Sequence, residues 1–412
     1  LFTPILKTGA VAPSLLSRAG AWCLLFGESM PQDAVNASAR KILTLFGTRP
    51  EVIKLAPVIR ELQSSPDRFI TCNVSSSQHT DLLAPLIRDF GIRLDHDLKV
   101  MQPNQTLSSL ASRVLAALDP VLVQEKPDAV LVQGDTTTAL AGALAAFHRQ
   151  IPVGHVEAGL RSGNRDSPFP EEMNRQMITR IATWHFASTI QNQKTLLAEG
   201  ISADRVFLTG NPVVDALLDT VERAKPSEMV ADLLRQTDKL DRILLTTHRR
   251  ESFGTKMSDN LKVLLEFVRN HTGTTLIFPM HPNPSVSGPA REILGDCERV
   301  HLIPPLDYQQ FVLMMSKAWL IVSDSGGVQE EAPTLGKALL VLRENTERPE
   351  AVEAGTAKLV GQPEQLKKAL EEALSPSSWT KNVKSIGNPF GDGTAAAKIV
   401  AALGEKLPVV SC

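Results

Sequence analysis

Short apolar runs recur along the chain. Each is closed by a glycine, a proline or a polar turn and is followed by apolar positions at three- and four-residue spacing. Runs of the first kind suit strands buried on both faces, and the spacing that follows suits amphipathic helices. Residues 41–46 (KILTLF) predict the first strand. Pro50 then opens a helix capped by Thr48 or Arg49, with Val52, Leu55, Ile59 and Leu62 on its apolar stripe. Further strands are expected over 69–76, 129–132, 153–157, 184–187 and 206–208, and helices over 81–90, 107–118, 137–148 and 170–182. A polar amphipathic stretch, 212–235, contains no strand. The alternation then restarts, with strands over 242–246, 275–278, 300–303, 319–322 and 338–342 and helices over 308–315, 366–374 and 395–403.

Strand–helix alternation of this kind builds a parallel sheet covered by helices on both faces. The restart predicts two such units, an α/β protein of two Rossmann-like, doubly wound domains with a cleft between them. The expected division is an extension over 1–39, a first domain over 40–211, a second over 212–387 and a C-terminal helical segment over 388–412. The extension opens on Leu1 and has no acidic residue before Glu28. It loosely resembles a targeting segment, but its apolar stretch is short, and a disordered or artefactual extension is the expectation.

Composition narrows the class only slightly. The chain has 412 residues, 43% hydrophobic and 21% charged, with a formal net charge of −2, so no charge excess points to nucleic acid or an acidic membrane. No apolar run has the ~18 residues of a membrane span. Four cysteines without a CxxC pair suit a reducing compartment, the cytoplasm.

Ligands in such sheets bind beyond the carboxyl ends of the strands, so the residues there carry the candidate chemistry. In the first half they are Arg49, Asp135, Glu157 and, at a helix start, Glu171; in the second, His248, His281, Asp324 to Gly327 and the segment from Arg343 to Arg348. Ser325-Gly326-Gly327 turns a strand into a helix, where free backbone N–H groups attract an anion and glycine admits it closely. Glu331, one turn later, can accept from sugar hydroxyls. Arg49 and Lys54 can reach a diphosphate across the cleft. Asp135 either caps the following helix through Thr136 to Thr138 or takes part in catalysis. Glu157 lies in the apolar setting of His155-Val156-Glu157-Ala158-Gly159, where a raised pKa would suit a general acid or base. Glu171 either complements a helix dipole or joins the other two carboxylates. His248 precedes Arg249-Arg250, an anion-friendly trio. Asp95-His96-Asp97 matches a weak metal-binding pattern of sugar transferases and is read as solvated, so no metal site is expected. No GxGxxG, GxxxxGK[ST] or HExxH occurs.

Seven co-ordered motifs resemble the bacterial non-hydrolysing UDP-N-acetylglucosamine 2-epimerases. They are Gly47-Thr-Arg-Pro-Glu51 with Lys54, Gly134-Asp-Thr-Thr-Thr138, Gly154-His-Val-Glu-Ala-Gly-Leu-Arg161, Pro170-Glu-Glu-Met-Asn-Arg175, His248-Arg-Arg-Glu-Ser-Phe-Gly254, Asp324-Ser-Gly-Gly-Val-Gln-Glu-Glu-Ala-Pro333 and Thr346-Glu-Arg-Pro-Glu350. The resemblance implies a GT-B fold whose last helix returns to the first domain, a homodimer, and interconversion of UDP-GlcNAc and UDP-ManNAc for cell-surface polysaccharide. The reaction it implies removes the C2 proton and expels UDP from C1, giving 2-acetamidoglucal, to which UDP adds back. No NAD or other cofactor is required, because elimination replaces oxidation. By motif position Asp135, Glu157 and Glu171 supply acid–base groups, in an order left open. Arg49, Lys54 and His248 would hold the departing diphosphate, Ser325, Gly326 and Gly327 would donate to phosphate, Glu331 would bind ribose, Arg348 would lie near the nucleotide, and Phe311 would pack by uracil.

Gln78-His79-Thr80 departs from the family's usual Gln-His-Arg, which puts allosteric activation by UDP-GlcNAc in question. Three alternatives remain at this point: a hydrolysing relative releasing UDP and ManNAc, a GT-B glycosyltransferase using UDP-GlcNAc, and a non-catalytic nucleotide-sugar sensor.

Overall fold

The computed structural model describes residues 39–77, 80–247 and 254–407. Two parallel sheets organise them. The first runs in the order β3-β2-β1-β4-β5-β6-β7 and the second β10-β9-β8-β11-β12-β13. In the first, β1 (Arg40–Phe46), β2 (Phe69–Ser75), β4 (Ala129–Gln133), β5 (Val153–Ala158), β6 (Trp184–Ala187) and β7 (Val206–Leu208) follow the expected positions, and a two-residue β3 (His96–Asp97) joins the edge. The second contains β8 (Asp241–Thr246), β9 (Thr274–Pro279), β10 (Val300–Ile303), β11 (Leu320–Ser323), β12 (Ala338–Val341) and β13 (Ala357–Leu359).

The period of two along each strand serves two cores. In β1, Ile42 and Phe46 face the largest apolar cluster, while Leu43 and Leu45 face another on the opposite side. In β11, Ile321 joins the largest cluster, and Leu320 and Val322 the outer core of the second sheet. That largest cluster takes in side chains from both sheets. The helix Pro212–Arg223 and the last helix, Ala395–Lys406, contribute to it, and both pack on the helix Arg49–Gln63 that follows β1. The chain crosses between the sheets twice, and at the crossings Gly210 and Gly391 lie back to back. A Cβ on Gly391 would meet Gly210 Cα at 3.3 Å, and both glycines have positive φ.

Several elements differ from expectation. The helix expected to end at 118 continues to Glu125, through Pro120. An interior proline costs about 3 kcal/mol. Burying Leu118, Val121 and Leu122, at roughly 1.5–3 kcal/mol each, outweighs that. The helix Ile190–Ala198 was not expected; it buries only Asn192 and Leu196 and so has no apolar stripe to read. The helices Thr255–Asn270 and Pro284–Leu294 are likewise additional to those expected, although both carry readable apolar stripes. The helix after Ser325 is only six residues, Gly326–Glu331, because Pro333 stops it. Asp95-His96-Asp97 is not simply solvated. Asp95 accepts from Asn73 N at 2.8 Å, and His96 Nε2 lies 2.9 Å from Glu125, so the segment holds the sheet edge. Among the described residues, no helix is long and apolar enough to cross a membrane.

Candidate active site

Both sheets reverse strand order at their middle, between β1 and β4 and between β8 and β11. Crevices open at such points beyond the strand ends. Here they form one cleft of about 950 Å³, lined by Arg49, Lys54, Asp135, Glu157 and Glu171 on one side and by Phe311, Ser325, Gly326, Gly327, Glu331 and Arg348 on the other. His248, with Arg249 and Arg250, lies outside the described residues, as do Gln78 and His79.

The first wall begins at Gly47-Thr48. Glu51 accepts from the backbone N–H groups of Gly47 (2.8 Å) and Thr48 (2.6 Å) and from the Thr136 hydroxyl (2.6 Å), tying the turn after β1 to the turn after β4. Thr48 is the N-cap, so Arg49 sits in the first helical turn and lines the cleft. Lys54, one turn further, is buried. Its ammonium contacts Glu157 and lies 3.1 Å from Glu330 on the opposite wall. Burial opposes its charge, but the attraction of Glu157 and Glu330 wins, and its pKa lies above the ordinary lysine value.

Contrary to expectation, the setting of Glu157 is polar. The carboxylate is met by Lys54, by Gln133 Nε2 at 2.5 Å and by Asn211 Nδ2 at 3.1 Å. The backbone explains its direction. Register between β5 and β6 shifts between Val156 and Ala158, and Glu157 has φ +66°. A bulge with a non-glycine residue in the left-handed region costs about 1–2 kcal/mol, and it re-aims the side chain.

Asp135 does not cap the next helix; the Thr136 hydroxyl does, accepting from Ala139 N at 3.0 Å. The Asp135 carboxylate instead meets Arg175 Nη1 at 2.5 Å, and its backbone carbonyl accepts from Asn174 Nδ2 at 2.8 Å. Burial pushes the Asp135 pKa up; Arg175 pulls it down, Glu171 adds to the rise, and the net shift is upward. Glu171 begins the helix Glu171–Ile181 at the cleft. Its neighbour Glu172 is fully buried and accepts from Ser162 N at 2.8 Å and Arg175 Nη2 at 2.9 Å.

On the second wall, Ser325 is the N-cap of the short helix, and its own N–H is taken by Ser323 Oγ at 3.0 Å. Gly326 lets the Arg348 guanidinium lie against the backbone: a Cβ there would meet Nη1 at 2.8 Å. Arg348 donates to Glu330 (Nε, 2.5 Å) and Glu347 (Nη1, 2.8 Å). Burial opposes the Glu347 charge, but Arg348 and Arg343 hold its pKa down at about 2. Glu331 accepts from the Tyr308 hydroxyl at 3.1 Å, and burial pushes its pKa up to about 7. Gln133, Asn211, Arg175, Tyr308 and Glu330 escaped the sequence reading. Three sit inside quoted motifs or one residue from them (Gln133, Arg175 and Glu330), and that adjacency was the available signal.

Away from the cleft, Cys72, His96 and Glu125 bring possible metal-ligating atoms within 4.8 Å of one another. The Glu125 oxygens are already engaged there, by His96 at 2.9 Å and by Lys41 Nζ at 3.1 Å.

Two switch-point crevices facing each other across one cleft lined by charges of both signs define a GT-B-type α/β protein. The family model for UDP-N-acetylglucosamine 2-epimerase matches residues 60–404. The UDP-N-acetylglucosamine 2-epimerase of Salmonella typhimurium is 45% identical over 369 residues, covering 88% of this chain and 98% of that protein. The Bacillus subtilis enzyme is 47% identical over 366 residues, covering 88% and 94%. The crystal structure of the Neisseria meningitidis epimerase bound to UDP-GlcNAc superposes with a TM-score of 0.82 at 42% identity, covering 89% of this chain and all of the other. The chain belongs to the UDP-N-acetylglucosamine 2-epimerase family.

Proposed function

We propose that the protein interconverts UDP-GlcNAc and UDP-ManNAc without hydrolysis. A carboxylate of the set Asp135, Glu157 and Glu171 takes the C2 proton. The C1–O bond breaks, the electron pair leaves with UDP, and C1=C2 forms in 2-acetamidoglucal. A carboxylic acid of the same set returns a proton to the other face of C2 as a UDP oxygen rejoins C1. The C2–H is weakly acidic on its own, so stabilising the departing diphosphate carries much of the barrier. Arg49, Lys54 and Arg348 supply charge there, with His248 from the motif that follows β8. Gly326 and Gly327 present backbone donors and Ser325 its hydroxyl, Glu331 accepts from ribose, and Phe311 packs against uracil.

The observation that supports this most is convergence: every proposed site residue within the described part lines one cleft. Its size suits a nucleotide sugar, since ligand pockets run to about 300–1,000 Å³. The working division is a first domain over 40–211 holding the acid–base groups, a second over 212–387 holding UDP, and the segment 388–412 packing back on the first. A cytoplasmic homodimer is the proposed form.

Proton NMR of UDP-GlcNAc with the protein in D2O, without acceptor, tests the reading. Deuterium at C2 with UDP-ManNAc rising to a steady mixture is expected. Deuterated ManNAc with free UDP would replace it with the hydrolysing reaction. Fully protonated, unchanged substrate would overturn it.

A further inference from the structure

Glu330 lies beside the proposed ribose ligand Glu331 but meets different partners. Its side chain is 3% exposed, with Oε2 3.1 Å from Lys54 Nζ and Oε1 accepting from Arg348 Nε. Lys54 stands on the first wall and also contacts Glu157; Arg348 stands on the second, against Gly326. One buried carboxylate therefore holds a cation from each side of the cleft. Its backbone is pinned as well: the Glu330 carbonyl accepts from Asn388 Nδ2 at 3.0 Å, in the segment where the chain crosses back toward the first sheet.

We propose that Glu330 is a positioning residue for the reaction, holding Lys54 against Glu157 and Arg348 against the Gly326 backbone, and acting on substrate only through these two cations. The proposal rests on the cleft being the UDP-sugar site. Lys54 also meets Glu157 and Arg348 also meets Glu347, and Glu330 is the one carboxylate that the two buried cations share. A diphosphate brings its own negative charge to the same cations and competes with Glu330 for them. Glu330 therefore opposes UDP binding while keeping Lys54 where the chemistry needs it.

The consequence is a split of opposite signs. Glu330→Gln keeps the volume and removes the charge. UDP should then bind several-fold more tightly by isothermal titration calorimetry, while kcat for C2 exchange falls about a hundredfold through loss of alignment. A variant defective only in structure would lose both together. The kcat loss should also shrink in a Lys54→Met background, because Glu330 would have lost one of the groups it acts through. Weaker UDP binding alongside the fall in kcat, an unchanged kcat, or fully additive losses would each overturn the proposal. If Glu330→Gln does not fold, Glu330→Asp serves: withdrawing the charge by one methylene should lower kcat, and a wild-type kcat would overturn it. Wild-type protein that neither exchanges C2 hydrogen nor binds UDP would instead sink the functional reading itself.

Discussion

The Tyr308 hydroxyl donates to Glu331 Oε1 at 3.1 Å, joining the first turn of the helix Tyr308–Lys317 to the last residue of Gly326–Glu331. The bond favours ionised Glu331, yet burial dominates, and the pKa rises from an ordinary 4.5 to about 7.

That shift makes stability depend on pH. A carboxyl raised in the folded state holds a proton that the unfolded chain releases. Its contribution is full below the unfolded value and is lost as pH rises through about 7. Glu331→Gln removes the penalty. The variant should gain stability over wild type at pH 8 and not at pH 4, by on the order of 3 kcal/mol at most, while binding UDP less well. Melting curves at the two pH values check this; equal differences at both would reject it.

Arg175 is shared between Asp135 and Glu172, with the Glu172 side chain 1% exposed. Arg175→Met would leave Glu172 buried without its cation. We expect a loss of about 3–5 kcal/mol in urea unfolding, together with reduced turnover as Asp135 loses its anchor. Wild-type stability would show that the remaining donors, Ser162 N and Gln176, suffice.

Glu157→Gln should retain UDP-GlcNAc binding and lose C2 exchange, because the amide cannot take a proton from carbon. Deuterium incorporation at the wild-type rate would remove Glu157 from the acid–base set.

Arg49→Ala should weaken UDP itself, by roughly 1.5–3 kcal/mol if the guanidinium makes a charge-assisted hydrogen bond to phosphate. Calorimetry with UDP alone is the check, and an unchanged Kd would exclude that contact.

Gly159 belongs to a motif quoted for the site, but its need is packing. Its φ is +91°, and a Cβ would lie 2.4 Å from the Asn192 carbonyl oxygen. Gly159→Ala should destabilise by about 1–3 kcal/mol or more with UDP affinity per folded molecule unchanged. A lowered melting temperature with normal calorimetric Kd is the expected pair.

The alternation of apolar runs and helical stripes made both parallel sheets legible. A strand buried on two faces carries a short apolar run, as residues 129–132 of β4, 243–245 of β8 and 320–322 of β11 do, and in β1 only Thr44 interrupts the run over 42–46. The placement of ligands beyond strand ends then singled out loops that line the cleft, since chain order alone says which residue follows which strand. The helix Ile190–Ala198 stayed hidden because almost nothing on it is buried, and helix formation there depends on neighbours.

By itself the sequence determined the two α/β units, the chemical types at the strand ends and the family resemblance, because periodicity and motif order are properties of the chain. Only the tertiary structure decided who partners whom. Thr136 rather than Asp135 caps a helix because backbone geometry chooses the nearer oxygen. Glu157 faces three donors because a bulge turns it. Lys54 and Glu330 meet although 276 positions separate them, because two crossings of the chain bring the walls together. Pairing at 3 Å depends on the path of the backbone through space, and no local pattern of residues encodes that path.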